Sequence, residues 1–163
     1  MRKRRAWSAI VGIGLLLWAV TLRAQAVPKI VGLWKLNTEK SGVAPLPAGW
    51  FEMRQYSLRP DGYLVGLLMT SNARGYHYLQ FTAKSDGKEY PEYTDDVLAD
   101  LIAAAKPTIR TYAEMVIDDY VTEWTDRVNG AITGSGRKII SSDGKTLTVT
   151  VNGSTQLRVY DRQ

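Results

Sequence analysis

From Ile30 onward the apolar positions recur in short runs that alternate with polar ones, the period of a half-buried strand. Lys145-Thr146-Leu147-Thr148-Val149-Thr150-Val151 is the clearest case, with threonines on one face and aliphatics on the other. The same texture predicts strands at Ile30–Asn37, Trp50–Leu58, Tyr63–Thr70, Gly75–Ala83, Thr108–Ile117, Tyr120–Asp126, Ala131–Ile140, Thr146–Val151 and Thr155–Asp161. Turn chemistry separates them. Arg59-Pro60-Asp61-Gly62 sets a proline of fixed φ beside a glycine that accepts positive φ, and Asn129-Gly130, Asp143-Gly144 and Asn152-Gly153 are strong hairpin signals. Ser85-Asp86-Gly87-Lys88 and Asp118-Asp119 read as further turns, and Thr38–Gly49, with Pro45 and Pro47, as a longer loop. Consecutive hairpins make an antiparallel meander of roughly nine strands, and a sheet of that size curls or closes because open edges invite aggregation.

The alternation breaks in two places. Val97, Leu98, Leu101, Ile102 and Ala105 share one helical face, after a capping Thr94 and the acidic first turn Asp95-Asp96, and Pro107 ends the run. One amphipathic helix is expected there, outside the barrel or over its mouth. The other break is at the start. Arg2, Lys3, Arg4 and Arg5 precede an apolar stretch from Ala9 to Leu22, and Ala24-Gln25-Ala26 has the small-x-small form of a cleavage site. The apolar run is about 15 residues, short of the ~20 that span a bilayer as a helix. Residues 1–26 therefore read as a signal peptide and residues 27–163 as one domain, exported to a periplasm or the medium, with no stable membrane span after cleavage. An uncleaved N-terminal anchor is the competing reading.

The leader changes the charge picture. The whole chain carries +5, from 21 Lys and Arg against 16 Asp and Glu, but Arg2, Lys3, Arg4, Arg5 and Arg23 all lie in the leader. Without them the balance is zero, which leaves no basic surface for a nucleic-acid partner. The chain has no cysteine, which excludes disulfides, thiolate nucleophiles and thiolate metal sites.

Gly32-x-Trp34 in the first strand and Arg158-x-Tyr160 in the last resemble the terminal strands of the calycins, the lipocalin and fatty-acid-binding-protein group. Ser142-Asp143-Gly144-Lys145-Thr146-Leu147-Thr148-Val149-Thr150 is similar to the penultimate hairpin of fatty-acid-binding proteins. Arg59-Pro60-Asp61-Gly62-Tyr63-Leu64, within Phe51–Ser71, is closer to small exported bacterial lipocalin-like domains. So is the overall order Gly-x-Trp-Lys-Leu-Asn, Asp-Gly-Lys-x-Tyr-Pro, then Val-Tyr. The resemblance implies an all-β, antiparallel up-and-down lipocalin-like barrel of about 8–10 strands with one short helix, its first and last strands paired around a lumen. It also implies that Arg158 and Tyr160, with an arginine from an earlier strand, hold a ligand carboxylate; Arg137 is the best match for that arginine. The helix-turn-helix lid that fatty-acid-binding proteins carry after their first strand is absent, and a Pro/Gly loop at Val43–Gly49 stands in its place.

Each candidate also has a structural reading. Arg158 and Tyr160, two apart, share a strand face. That face is the lumen, or else Leu157 and Val159 point inward and Arg158 meets solvent or stacks on Trp34. Beside Arg137, Lys138 is an equal candidate to face inward. Gly32 and Trp34 read as barrel closure, the glycine giving the chain close passage and the indole filling the barrel end. His77, the one histidine, lies between two tyrosines and reads as a polar outward residue, since a metal site needs three or four ligands. Asp95-Asp96 and Asp118-Asp119 are explained by a helix start and a turn, and Gly134-Ser135-Gly136 by a bulge in a strand. No catalytic residues and no cofactor are implied.

The expected function is non-catalytic binding of a small hydrophobic or amphipathic ligand in the lumen. The alternative is a protein-interaction or inhibitor barrel that works through its loops with a filled interior, and a calycin-type enzyme comes third. The first two part on lumen volume, since ligand pockets run to a few hundred Å³.

Overall fold

The computed structural model describes residues 28–95 and 108–163. Ten antiparallel strands form a closed barrel: β1 (Gly32–Leu36), β2 (Phe51–Leu58), β3 (Leu64–Asn72), β4 (Gly75–Ala83), β5 (Asp86–Thr94), β6 (Arg110–Val116), β7 (Val121–Val128), β8 (Ala131–Ile140), β9 (Thr146–Val151) and β10 (Arg158–Arg162). Each strand pairs with the next, and β10 returns to β1 with Trp34 opposite Arg162 and Leu36 opposite Tyr160. Closure leaves no free edge. The leader expected at 1–26 and the helix expected at Asp95–Lys106 fall outside the described residues, apart from Asp95. Among the described residues no helix is long and apolar enough to cross a membrane.

One strand departs from the pattern reading. Asp86–Thr94, where the pattern predicts a turn and no strand, is β5. Gly87, at φ 78°, lies inside the strand, and the register with β6 shifts between Asp86 and Glu89. The glycine therefore makes a bulge, not a hairpin. Pro91, which cannot donate to a ladder, lies just outside the short register that sets Leu79–Phe81 of β4 against Glu92–Thr94.

The registers line inward side chains up in rows around the barrel. Trp34, Arg54, Leu68, Leu79 and Thr94 form one row across β1–β5; Gly32, Tyr56, Gly66, Phe81 and Glu92 form the next. A side chain on Gly66 would place its Cβ 2.3 Å from the Phe81 ring, which stacks on Tyr112 with centroids 3.8 Å apart. This strand glycine is there for space.

Trp34 and Arg162 close the β1–β10 side of the base. Trp34 is fully buried, and its indole N–H donates to the Ile30 carbonyl at 2.8 Å. The Arg162 guanidinium lies over the indole at 4.2 Å and donates to the carbonyls of Val31 and Gly144, each at 2.7 Å, and of Lys29. A Cβ on Gly32 would come within 2.6 Å of that guanidinium. The arginine that stacks on Trp34 is thus Arg162, not Arg158. Leu36, Ile140, Leu147 and Tyr160 pack beside it, and full burial of a side chain like Leu147 stabilises by about 2 kcal/mol.

The β1–β2 loop, the β3–β4 turn and the β9–β10 loop lie at the opposite end, the mouth. Residues 37–50 contain no helix, so the loop expected in place of a lid is present. The loop also covers the outside of β10. Ser41 Oγ accepts from the Val159 N–H at 2.9 Å, and Asn37 and Lys40 both bind the Asp161 carboxylate at 2.7 Å. Val159 is buried from outside, beneath this loop, while Leu157 is exposed. The reading that pointed both into the lumen is corrected.

Candidate ligand-binding lumen

Leu147 is fully buried and pairs with Tyr160, and Val149 pairs with Arg158, so Arg158 and Tyr160 both face the lumen. They meet at Glu52 of β2, where Tyr160 donates its phenolic hydrogen to the carboxylate and Arg158 approaches it at 3.4 Å. Arg137 is placed otherwise. It points outward and forms a surface pair with Glu123 at 2.8 Å, its side chain 58% exposed. Alternation leaves the inward position to Lys138, one residue on. Carrying the earlier-strand arginine over to Arg137 is therefore corrected. The inward arginine of the early strands is Arg54, stacked at 5.0 Å over the Tyr160 ring. His77 also turns inward, near the mouth, with Nδ1 2.6 Å from Asp95, so its outward reading is corrected as well.

Above Trp34 lies a cavity of about 120 Å³. Tyr56, Leu68, Leu79, Phe81 and Val149 supply apolar wall, and Arg54, Glu92, Asp126, Lys138 and Arg158 reach it with charged groups. This cavity is not packed solid and stays well under several hundred Å³; a second, of about 400 Å³, reaches Lys138 and Ile140 from the side of Lys29, Ile30 and Tyr120.

The charges are arranged in cross-strand pairs. Lys138, on β8, holds Glu114 of β6 at 2.6 Å and donates to the Tyr112 hydroxyl; Tyr112 in turn donates to Glu114. Its ammonium sits 4.9–5.0 Å from the centroids of Tyr56, Phe81 and Tyr112, a cation enclosed by three rings. Burial pushes the Glu114 carboxyl up, but the Lys138 charge and hydrogen bonds from Lys138, Tyr112 and Ser85 prevail and hold it below its ordinary value. Burial and the Glu114 charge push the Tyr112 phenol far up.

Glu92 differs. Its Oε2 meets Arg110 at 3.0 Å, but burial and the charge of Asp126 push the carboxyl up to about 7. Asp126 is itself raised, by burial, against the opposing charges of Lys138, Arg110 and Arg54. Four polar atoms, on residues that line the cavity, are shut from solvent with no hydrogen-bond partner among the described residues. They are the donors Arg54 Nε and Trp124 Nε1 and the acceptors Glu92 Oε1 and Asp126 Oδ1. Such groups usually find partners, so each marks an unfilled demand. Among the described residues no three His, Asp or Glu side chains gather as a metal site.

Trp124 has a sequence signature in Gly134-Ser135-Gly136. Gly136 lies opposite it across β7–β8, and a Cβ there would stand 1.9 Å from the Thr150 carbonyl oxygen and 3.1 Å from the indole. Gly134 leaves 3.2 Å on the other side. The Gly-x-Gly run is thus a cradle for an indole beside a β-bulge, since the register also shifts between Asp126 and Arg127. Glu92, Glu114 and Asp126 carried no comparable signal. A charged residue at an inward position of a strand looks the same in sequence as one at an outward position, until the register is known.

No family model matches the chain, and no curated protein matches it. Among solved structures, it is similar to a Schistosoma mansoni fatty acid binding protein in complex with arachidonic acid. The identity is 18% over 83% of this chain and 96% of that one, with a TM-score of 0.53. Another Schistosoma mansoni fatty-acid-binding-protein structure aligns at 19% identity over 82% of this chain and 96% of that one, with a TM-score of 0.49. The class of fold is therefore plain: an all-β, ten-strand antiparallel closed barrel, like that of a fatty-acid-binding protein. The motifs matched that group mainly at the chain's end strands and closing hairpin; the tertiary likeness extends it around the barrel.

Proposed function

We propose that this chain is a non-catalytic binding barrel that carries a small hydrophobic or amphipathic molecule in its lumen. The observation that carries the reading is the cavity itself, apolar in its wall and reached by Arg158 and by polar atoms still lacking partners. A barrel serving only as a scaffold for its loops gains nothing from a charged, incompletely filled interior, because each unpaired buried polar group costs about 1–3 kcal/mol. The likeness to a fatty-acid-binding barrel supports the same reading at the level of fold. Export is part of the proposal and rests on the basic, apolar and Ala24-Gln25-Ala26 segments of the leader. So does membership among exported bacterial lipocalin-like proteins, which rests on the motifs of Phe51–Ser71.

Native mass spectrometry of the full chain, expressed with its leader and purified without denaturation, tests both parts. The expected spectrum shows a chain beginning at Val27 with one small molecule bound. The absence of both an adduct and any change in tryptophan fluorescence with added fatty acids, alcohols, amines and amino acids would refute lumenal binding. Retention of residues 1–26 would refute cleavage.

A further inference from the structure

We propose that the lumen selects a small dipolar molecule, a protonated amine and a carboxylate on one compact apolar body. Glu92 and Asp126 take the ammonium, and Arg54 and the Trp124 indole N–H take the carboxylate. The inference rests on the lumen being a binding site, and it names the chemistry that site accepts.

Hydrogen-bond complementarity supplies the first argument. Two donors and two acceptors, on four residues that line the one cavity, have no partners among the described residues. A fatty acid presents acceptors to Arg54 and Trp124 and leaves both carboxylates unmet. A simple amine does the reverse. A molecule with both heads answers all four atoms. Glu92 is the most telling of them, because its side chain is wholly buried while Oε1 still lacks a donor.

Charge balance is the second argument. Lys138 is matched by Glu114, Arg110 by Glu92 and Arg158 by Glu52, which leaves Arg54 and Asp126 as the unpaired members of opposite sign. With Glu92 and Asp126 both ionised, the interior is balanced before anything binds. A ligand of net charge would bring an uncompensated ion into a place where desolvation is costly, and a zwitterion would not.

Size is the third. The cavity, about 120 Å³, is close to the engineered hole of roughly 150 Å³ that holds benzene and well under the few hundred Å³ of an ordinary ligand pocket. It fits an amino-acid side chain rather than a long acyl chain, and Leu68, Leu79 and Phe81 give that body an apolar wall.

Isothermal titration of the purified chain tests the proposal with valine, leucine and phenylalanine, each beside its decarboxylated amine and its deaminated acid. Oleate serves as a long-chain control. At least one amino acid is expected to bind about tenfold or more tighter than either single-headed counterpart. Glu92→Gln should weaken the amino acid and the amine and spare the acid. Arg54→Met should weaken the amino acid and the acid and spare the amine, with Arg54→Lys standing in if that variant loses its far-UV circular dichroism. An acid that binds wild type as tightly as its amino acid overturns the proposal, whatever the variants do. Oleate binding without any small ligand overturns it and leaves the lumen as a binding site; no binding at all overturns both.

Discussion

Arg137 and Lys138 are neighbours in sequence and opposites in environment. Arg137 is an exposed partner of Glu123, whereas Lys138 and Glu114 are both 3% exposed and clasp each other inside a ring of aromatics. Exposed pairs contribute little, and breaking a buried pair leaves an uncompensated charge. Arg137→Ala is expected to change stability by less than about 1 kcal/mol, and Lys138→Met to lower it by about 3–5 kcal/mol, read from urea unfolding midpoints. Equal losses would mean the two side chains had been assigned to the wrong faces. Gly136→Ala is a second test at this scale. Its Cβ meets the Thr150 backbone, which cannot swing aside as a side chain does, so a loss of about 1–3 kcal/mol is expected together with a shifted Trp124 emission.

Closure is the business of β1 and β10. Arg162 ties the N-terminal residues Lys29 and Val31 and the β8–β9 turn to the Trp34 ring. Arg162→Ala removes three donors and a ring cover at once. It should lower the unfolding midpoint markedly and speed amide exchange in β1 and β10 ahead of β3 and β4. Arg158→Ala should leave exchange nearly unchanged and reduce ligand uptake, since Arg158 is partly exposed and faces the cavity. An Arg158→Ala chain that frays at β10 while taking up ligand normally would move that residue from the site to the frame. At the scale of elements most of the barrel was legible. The alternating runs and the Asn-Gly and Asp-Gly turns predict nine of the strands. β5 escaped because Asp86-Gly87 has hairpin chemistry and Pro91 argues against a ladder, and only its neighbours β4 and β6 show that a bulge absorbs the first and a short register tolerates the second.

The molecule as a whole encloses charge, and its pH response should show it. Glu92, raised to about 7 by burial and Asp126, keeps a proton in the folded chain that an unfolded glutamate loses near its ordinary 4.5. Its contribution is full below that value and is lost as pH rises through about 7; Asp126 acts in the same direction. Glu114, held low mainly by Lys138 against its burial, contributes the opposite way, lost as pH falls below the ordinary glutamate range. The melting temperature is expected to peak at mildly acidic pH and to fall toward pH 8. Glu92→Gln should flatten the upper limb. A wild-type melting temperature that stays level from pH 5 to pH 8 would contradict the burial of an under-partnered Glu92.

Local chemistry was enough to determine an antiparallel meander that curls or closes, because alternation and turn residues act within a few positions of each other along the chain. Full closure was decided by the pairing of β1 with β10. Local chemistry also marked Gly32, Trp34, Arg158 and Tyr160 as belonging to the strands that close the barrel. It did not determine which face of a strand is inside. A shift of one residue exchanges the two faces, so Lys138 and not Arg137, and Arg162 and not Arg158 against Trp34, were settled only by the cross-strand registers. The binding chemistry was decided at the same level. Glu92, Asp126, Arg54 and Trp124 lie on three separated strands, and only closure of the barrel brings their unpartnered atoms to one cavity.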